Sequence, residues 1–156
     1  MNNRENRVLV AMSGGVDSST VCMLLQEQGF KIEGITMRMW DAPKNFTKYG
    51  EELPDYIVDA QRLAQKLNFP HHILDIREDF KKIVVDYFAD EYLNGRTPNP
   101  CVVCNRHIKW KLLVEKADQL ECQHIATGHY AKIVRQNVHA YIARGIDTKK
   151  DQSYFL

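Results

Sequence analysis

Val8-Leu9-Val10-Ala11-Met12-Ser13-Gly14-Gly15-Val16-Asp17-Ser18-Ser19 is the stretch whose reading decides the fold. An apolar run of five residues that ends in a glycine turn reads as a short buried strand. The small, hydroxyl-rich turn then leads into a helix. Such a turn exposes free backbone N–H groups and the positive helix end, which together bind an anion such as phosphate. A Walker A loop would end in Gly-Lys followed by Ser or Thr, and a dinucleotide fingerprint would be spaced G-x-G-x-x-G; this turn is neither. Two adjacent glycines let backbone approach an oxyanion closely, Ser13, Ser18 and Ser19 offer hydroxyl donors, and the Asp17 carboxylate is a ligand type suited to Mg²⁺. The competing reading is a plain helix start with Asp17 or Ser18 as N-cap. A simple cap does not call for a double glycine between hydroxyls.

Outward from this turn, strands are predicted over 8–12, 31–37, 71–75 and 124–127 and helices over 18–28, 53–68, 78–93 and 105–120. Val21, Leu24 and Leu25 are expected to face inward on the first helix, which Gly29 stops. Ile57, Ala60, Leu63, Ala64 and Leu67 carry the helical spacing of the second, and Phe80, Ile83, Val84, Tyr87 and Phe88 that of the third. Strand–helix alternation implies an α/β, Rossmann-like fold, a mostly parallel sheet covered by helices on both faces and wound in the right-handed sense. Ligands of such sheets lie beyond the carboxyl ends of the strands, where 12–19, 37–40 and 127–130 gather. Residues 131–135 and 139–144 have β character and predict a small hairpin near the C-terminus. The chain stops on the apolar step Tyr154-Phe155-Leu156, which leads one to expect truncation.

The 156 residues suit one domain with a single sizeable core. A hydrophobic share of 44% and a charged share of 26% are ordinary globular values. No apolar run approaches the roughly 18 residues of a membrane span, and the polar start from Met1 to Arg7 lacks a signal peptide, so no membrane partner and a cytoplasmic location are expected. A net charge of +1 does not advertise a nucleic-acid binder, although Arg106, His107, Lys109 and Lys111 cluster, as do Lys149 and Lys150. The four cysteines, Cys22, Cys101, Cys104 and Cys122, make two disulfides only in an oxidising compartment; otherwise a metal or redox role fits better. Cys22 is taken as a core residue.

The second informative stretch is Gly95-Arg96-Thr97-Pro98-Asn99-Pro100-Cys101-Val102-Val103-Cys104-Asn105. Two prolines stiffen it and present the cysteines in a defined place. With Asn105 as N-cap, Cys104 would sit at the positive end of a helix, where a thiolate is favoured and the thiol pKa falls. A zinc site from Cys101, Cys104, Cys122 and His124 has an acceptable spacing. Distance opposes it, since some sixteen helical residues at about 1.5 Å each put Cys122 about 24 Å away. A catalytic or redox pair, or two ligands of an iron–sulfur cluster, stay open, beside two inert buried cysteines. Arg106, His107 and Lys109 in the first turn oppose the helix macrodipole, so a polyanionic partner and an ordinary solvated face are both open readings.

The S-G-G-x-D-S-S string resembles the PP-loop ATP pyrophosphatases, which share the adenine nucleotide alpha hydrolase-like fold and cleave ATP between its α and β phosphates, usually to adenylate a carbonyl oxygen. Taken in order with Met37 after Gly34-Ile35-Thr36, the loop from Gly95 to Asn105, Ala126-Thr127-Gly128-His129-Tyr130-Ala131 and Lys150-Asp151-Gln152-Ser153-Tyr154-Phe155-Leu156, it is similar to the tRNA-specific 2-thiouridylases over essentially the whole chain. That family replaces the C2 oxygen of the wobble uridine with sulfur. The resemblance implies an ATP site at Ala11, Met12, Ser13, Gly14, Gly15, Val16, Asp17, Ser18, Met37 and Gly128, with Mg²⁺ as partner ion. It implies tRNA contacts at Asn99, Pro100, Cys101, His129, Lys150, Asp151 and Gln152, and Cys104 as the first catalytic cysteine beside Cys101. Family members continue into a central domain and a C-terminal β-barrel, and a second cysteine, further along than Leu156, bears the persulfide, so a chain ending at Leu156 is expected to bind nucleotide without thiolating tRNA.

The chemistry is coherent: adenylation turns a poor leaving group into a good one, and AMP departs as a sulfur nucleophile attacks C2. A sulfur-donor protein, a sulfurtransferase or cysteine desulfurase relay, is the implied second partner. One departure from the family pattern matters: many relatives carry Asp at the position of Cys101. The resulting C-x-x-C pair resembles those that hold a [4Fe-4S] cluster in other PP-loop thiolases, so a persulfide relay ending in a disulfide and a cluster-delivered sulfur are both implied. The rival functions are a PP-loop amidotransferase or ligase, which needs no C-x-x-C, and a non-catalytic nucleotide-binding module.

Overall fold

The computed structural model describes residues 6–41, 47–48 and 52–156; the polar start over 1–5 lies outside them. Strand β1, Arg7–Ala11, is buried through its middle, as is β2, Lys31–Arg38. β1 reads as a near-continuous apolar run because it is covered on two faces, while β2 buries Glu33 and Thr36 among its apolar residues. β3, His71–Asp75, and β4, His124–Thr127, complete a parallel sheet in the order β3-β2-β1-β4. Val8 to Ala11 pair with Ile32 to Ile35 on one side and with His124 to Thr127 on the other. The chain passes from β1 outward to β3, then returns to the far side of β1. That reversal opens a crevice at the carboxyl ends of β1 and β4, the ligand position of open α/β sheets.

The sheet separates two cores. On one face Val8, Val10, Met12 and Ile32 meet Cys22 of α1, Val16–Glu27, and Ala60 of α2, Asp55–Leu67. On the other, Leu9, Ile35 and Met37 meet Val84, Cys104, Ile108 and Leu113. The second face is covered by two longer helical runs over 77–93 and 100–119. Each contains a widened π segment, Lys81–Val85 in the first and Asn105–Lys109 in the second. The hairpin is present as β5, Ala131–Gln136, paired antiparallel with β6, His139–Arg144.

Three expectations need correction. On α1 Val21 and Leu25 pack against the core as expected, but Leu24 is 49% exposed and the fully buried residues are Ser18 and Cys22. The helix starts two residues earlier than expected, and its inward stripe is centred on the small side chains that let it lie close to the sheet. Neither Asp17 nor Ser18 is the N-cap; Gly15 is, with φ −90° and ψ 170° and no side-chain cap. The helix expected from Asn105 begins at Pro100, because Asn99 accepts the Val102 amide at 3.3 Å and the ring of Pro100 has the φ of a first helical turn. Asn105 is buried inside that helix.

Candidate active site

Gly14 makes the turn after β1 possible. Its φ is +72°, and a Cβ there would lie 2.3 Å from the Tyr56 carbonyl oxygen. A side chain is excluded both by conformation and by α2. The serines then fix the loop from within. Ser18 Oγ accepts the Ser13 amide at 3.2 Å and donates to the Gly15 carbonyl at 3.2 Å, and Ser19 Oγ donates to the same carbonyl at 2.8 Å. Ser18 and Ser19, expected to donate to a ligand, are thus committed to shaping the loop. Because no side chain caps α1, its first amides are left for a ligand.

Across the crevice stands the turn after β4. A Cβ on Gly128 would come within 2.8 Å of the Ser18 nitrogen, so glycine lets that turn approach the start of α1. The His129 ring pairs through Nδ1 with Thr127 Oγ1 at 2.8 Å and lies 6.5 Å from the Trp110 ring. Burial first, and the charge of Lys109 second, hold its pKa below the ordinary imidazole value. Tyr130 donates its hydroxyl to Asp17 Oδ1 at 3.0 Å.

Between these walls is a cavity of about 420 Å³. Ala11, Met12, Ile35, Met37 and Met39 give it an apolar side, and Ser13, Gly15, Asp17, Ser18 and Lys109 a polar one. Of the expected nucleotide residues, Gly14 and Val16 lie outside the lining; Gly14 turns the backbone, and Val16 is 80% exposed. Of the expected RNA-contacting residues, His129 and Gln152 line the cavity, while Asn99, Pro100, Cys101, Lys150 and Asp151 do not. Asp151 is occupied in its own turn, accepting from the Gly145 amide at 2.8 Å and Ser153 Oγ at 2.9 Å. These bonds, the Gly145 amide foremost, hold its carboxyl below the usual range.

The two cysteines of the C-x-x-C pair differ. Cys101 is exposed, whereas Cys104 is 7% exposed and packed in the core cluster that contains Met37. The expected fall in the Cys104 pKa is reversed. Four residues into a helix rather than at its positive end, the thiol is pushed up by burial, with Lys109 pulling it down and Cys101 adding to the rise. Cys22 is fully buried and its thiol is pushed up to about 11. Cys122 lies at the amino ends of the strands, where the neighbouring Gln123 amide donates to the Arg7 carbonyl at 3.2 Å. Among the described residues no three His, Cys, Asp or Glu side chains gather to hold a metal ion. Cys101 and Cys104 are thus two thiols with no third such side chain gathered beside them among the described residues.

Tyr56 is a cavity residue that the sequence does not reveal, whereas Trp40 belongs to the stretch 37–40 expected at this edge. Tyr56 donates its hydroxyl to the Met37 carbonyl and accepts the Met39 amide, both at 3.3 Å, fixing the exit of β2. Trp40, 5.6 Å from the Tyr56 ring and 6.1 Å from that of Phe80, forms the outer rim. Lys109 was noted only as part of a basic cluster; the structure turns it into the cavity, while Arg106 and His107 stay exposed. The π segment that ends at Lys109 has no signature in the hydrophobic spacing.

The chain is similar in sequence to several curated proteins. A tRNA-specific 2-thiouridylase MnmA 3 from Phocaeicola vulgatus is 53% identical over 156 residues, covering 100% of this chain and 42% of that protein. A tRNA-specific 2-thiouridylase MnmA from Amoebophilus asiaticus is 53% identical, covering 98% of this chain and 42% of that protein. The chain therefore spans about two fifths of the length of these relatives. Among solved structures, a predicted subunit of tRNA methyltransferase from Methanocaldococcus jannaschii superposes with a TM-score of 0.52 at 22% identity, covering 85% of this chain and 55% of that one, which supports the fold alone. With its phosphate-type loop, its sheet order and a match over residues 6–156 to the tRNA methyl transferase HUP domain, the chain belongs to that family.

Proposed function

We propose that this chain is the ATP-binding, base-activating part of a tRNA 2-thiouridylase, an enzyme that transfers sulfur to C2 of the wobble uridine. One observation carries the reading: Lys109, on the helical run that bears Cys104, enters the cavity formed by the loop after β1. The helical run that bears the thiol thereby also contributes to the cavity wall, although Cys104 itself is packed in the core behind it, an arrangement that neither an amidotransferase nor a passive nucleotide sensor requires. The names of the relatives agree with it.

The cavity suits ATP, with an apolar side for the base and free amides at the start of α1 for phosphate. Asp17 supplies an oxygen ligand for Mg²⁺, and Lys109 supplies the cation that the loop itself lacks. ATP contributes the adenylyl group that makes the uridine oxygen a leaving group. His129, held neutral by burial, faces the cavity as a hydrogen-bonding group for the base. Cys104 must lose its proton to act, and Lys109 is the nearby charge that favours this. Asn99, Pro100, Cys101, Lys150, Asp151 and Gln152 are proposed to meet the RNA, and a sulfur-carrying protein to deliver the sulfur. Exposed free thiol chemistry fits a reducing cytoplasm.

The complete protein, incubated with unmodified tRNA, ATP and a sulfide donor, is expected to release AMP and pyrophosphate only with tRNA and to yield 2-thiouridine by mass spectrometry. Cys104→Ser should abolish the thiolated product. Thiolation retained in that variant would overturn the assignment of Cys104, AMP release without RNA would favour an amidotransferase or ligase, and no AMP release at all would favour a non-catalytic nucleotide-binding module.

A further inference from the structure

The segment around Lys150 and the loop after β1 are remote in sequence, yet Tyr130 touches both. Its hydroxyl donates to Asp17 Oδ1 at 3.0 Å. Its ring lies under Lys150, whose Nζ is 5.2 Å from the centroid. Its backbone is clamped by Gln152, which accepts the Tyr130 amide through Oε1 at 3.0 Å and donates its own amide to the Tyr130 carbonyl at 2.8 Å. Gln152 also lines the cavity. A turn built on Asp151, which bonds Gly145 and Ser153, holds Lys150 and Gln152 on either side of it in place.

We propose that Tyr130 is a positioning residue that couples RNA engagement at Lys150 and Gln152 to the handling of Mg·ATP at Asp17. The inference rests on the proposed reading of these two segments as RNA-contacting and nucleotide-binding. A carboxylate on the first turn of an exposed helix samples several rotamers, and a phenol that donates to Oδ1 selects one and leaves Oδ2 for a cation. The phenol is only as fixed as its ring and backbone, which Lys150 and Gln152 hold. An RNA phosphate drawn to Lys150 fixes that side chain, and with it the far end of the brace. Asp17 is then ordered before Mg·ATP arrives, so nucleotide binds more tightly when RNA is present. Linkage makes the effect reciprocal, with Mg·ATP tightening RNA by the same factor.

The test uses the complete protein and measures the dissociation constant of Mg·ATP with and without unmodified tRNA, and that of tRNA alone. In the wild type, tRNA is expected to tighten Mg·ATP by about fivefold or more. Tyr130→Phe keeps the ring and the Lys150 contact but removes the hydroxyl. It should weaken Mg·ATP by roughly three- to tenfold, as loss of a partly exposed hydrogen bond to a charge does, and bring the tRNA effect close to one. Its affinity for tRNA alone should stay within about twofold. Tyr130→Leu removes the ring too and should weaken tRNA as well. A purely structural role would instead lower both affinities together in Tyr130→Phe. An unchanged coupling factor in Tyr130→Phe, or a wild type whose Mg·ATP affinity ignores tRNA, overturns the proposal. If the wild type binds no tRNA at all, the functional reading itself fails, which the separate tRNA titration reveals.

Discussion

Gly14→Ala is the substitution on which the geometry of the phosphate-type loop makes its sharpest demand. The new methyl group would stand 2.3 Å from the Tyr56 carbonyl oxygen and 2.9 Å from its Cα, both backbone atoms that cannot swing aside. Reaching even 3.0 Å requires the loop and the first turn of α2 to part by about 0.7 Å. Overpacking of this kind costs about 1–3 kcal/mol, and a non-glycine residue at φ +72° adds about 1–2 kcal/mol. The sum of roughly 2–5 kcal/mol is a large part of the 5–15 kcal/mol typical of a domain, and at about 2–4 °C per kcal/mol it lowers the melting temperature by roughly 5–20 °C. Displacement of Tyr56 also disturbs the exit of β2, so ATP affinity should fall with stability. Gly15→Ala is the control, since its Cβ would meet only Ser13 Oγ at 3.5 Å and its φ is −90°; the loss there should stay near or below about 1 kcal/mol. Thermal melts and ATP titrations of the two variants in the complete protein decide the matter. Melting temperatures within about 2 °C of each other, with equal ATP affinities, would refute the reasoning.

Lys109→Gln should raise the ATP KM by about tenfold while leaving the fold intact, read by steady-state AMP release and by circular dichroism. Brief alkylation with iodoacetamide followed by peptide mass spectrometry should label exposed Cys101 well before Cys104, Cys122 and Cys22, and equal labelling of Cys101 and Cys104 would contradict the burial of the latter. Burial pulls the His71 pKa down to about 4, its Nδ1 lacking a partner and its Nε2 pairing with Thr36 at 2.8 Å. The unfolded chain therefore binds the proton more tightly, so stability is complete above about pH 6.5 and drains away as pH falls towards about 4. The Asp75 carboxyl, pulled down to about 2 by Arg77, contributes its own loss only below the ordinary carboxylate range. Denaturant titrations from pH 7 to 4 should show a flatter slope in His71→Gln.

What the sequence made legible was what local chemistry decides. β3 and β4 fall at the expected residues because each is a short stretch around an apolar pair, Ile73-Leu74 and Ile125-Ala126, between clear breaks, and the double glycine marks the loop. The start of the cysteine-bearing helix was also written in the chain, since Asn99 followed by Pro100 is a cap followed by a favoured first residue; the reading of both prolines as loop stiffeners hid it. Tyr56 and Lys109 were illegible for another reason. Tyr56 reaches the cavity only because α2 packs across the exit of β2, and Lys109 only because the helix widens over Asn105–Lys109. Neither fact is local. The Cys104 pKa followed the same rule, for its direction depends on packing against Met37 and its neighbours rather than on helix position.

The sheet keeps two sets of neighbours apart. The loop after β1 is anchored through α1 and α2 to one face, and Cys104 and Lys109 are anchored to the other. A change in the packing of one face shifts one partner of the cavity and leaves its counterpart on an independent foundation. A change on the second face would therefore move the Cys104 thiol and the cavity's Lys109 together, while the turn at Gly14 keeps its own support on the first.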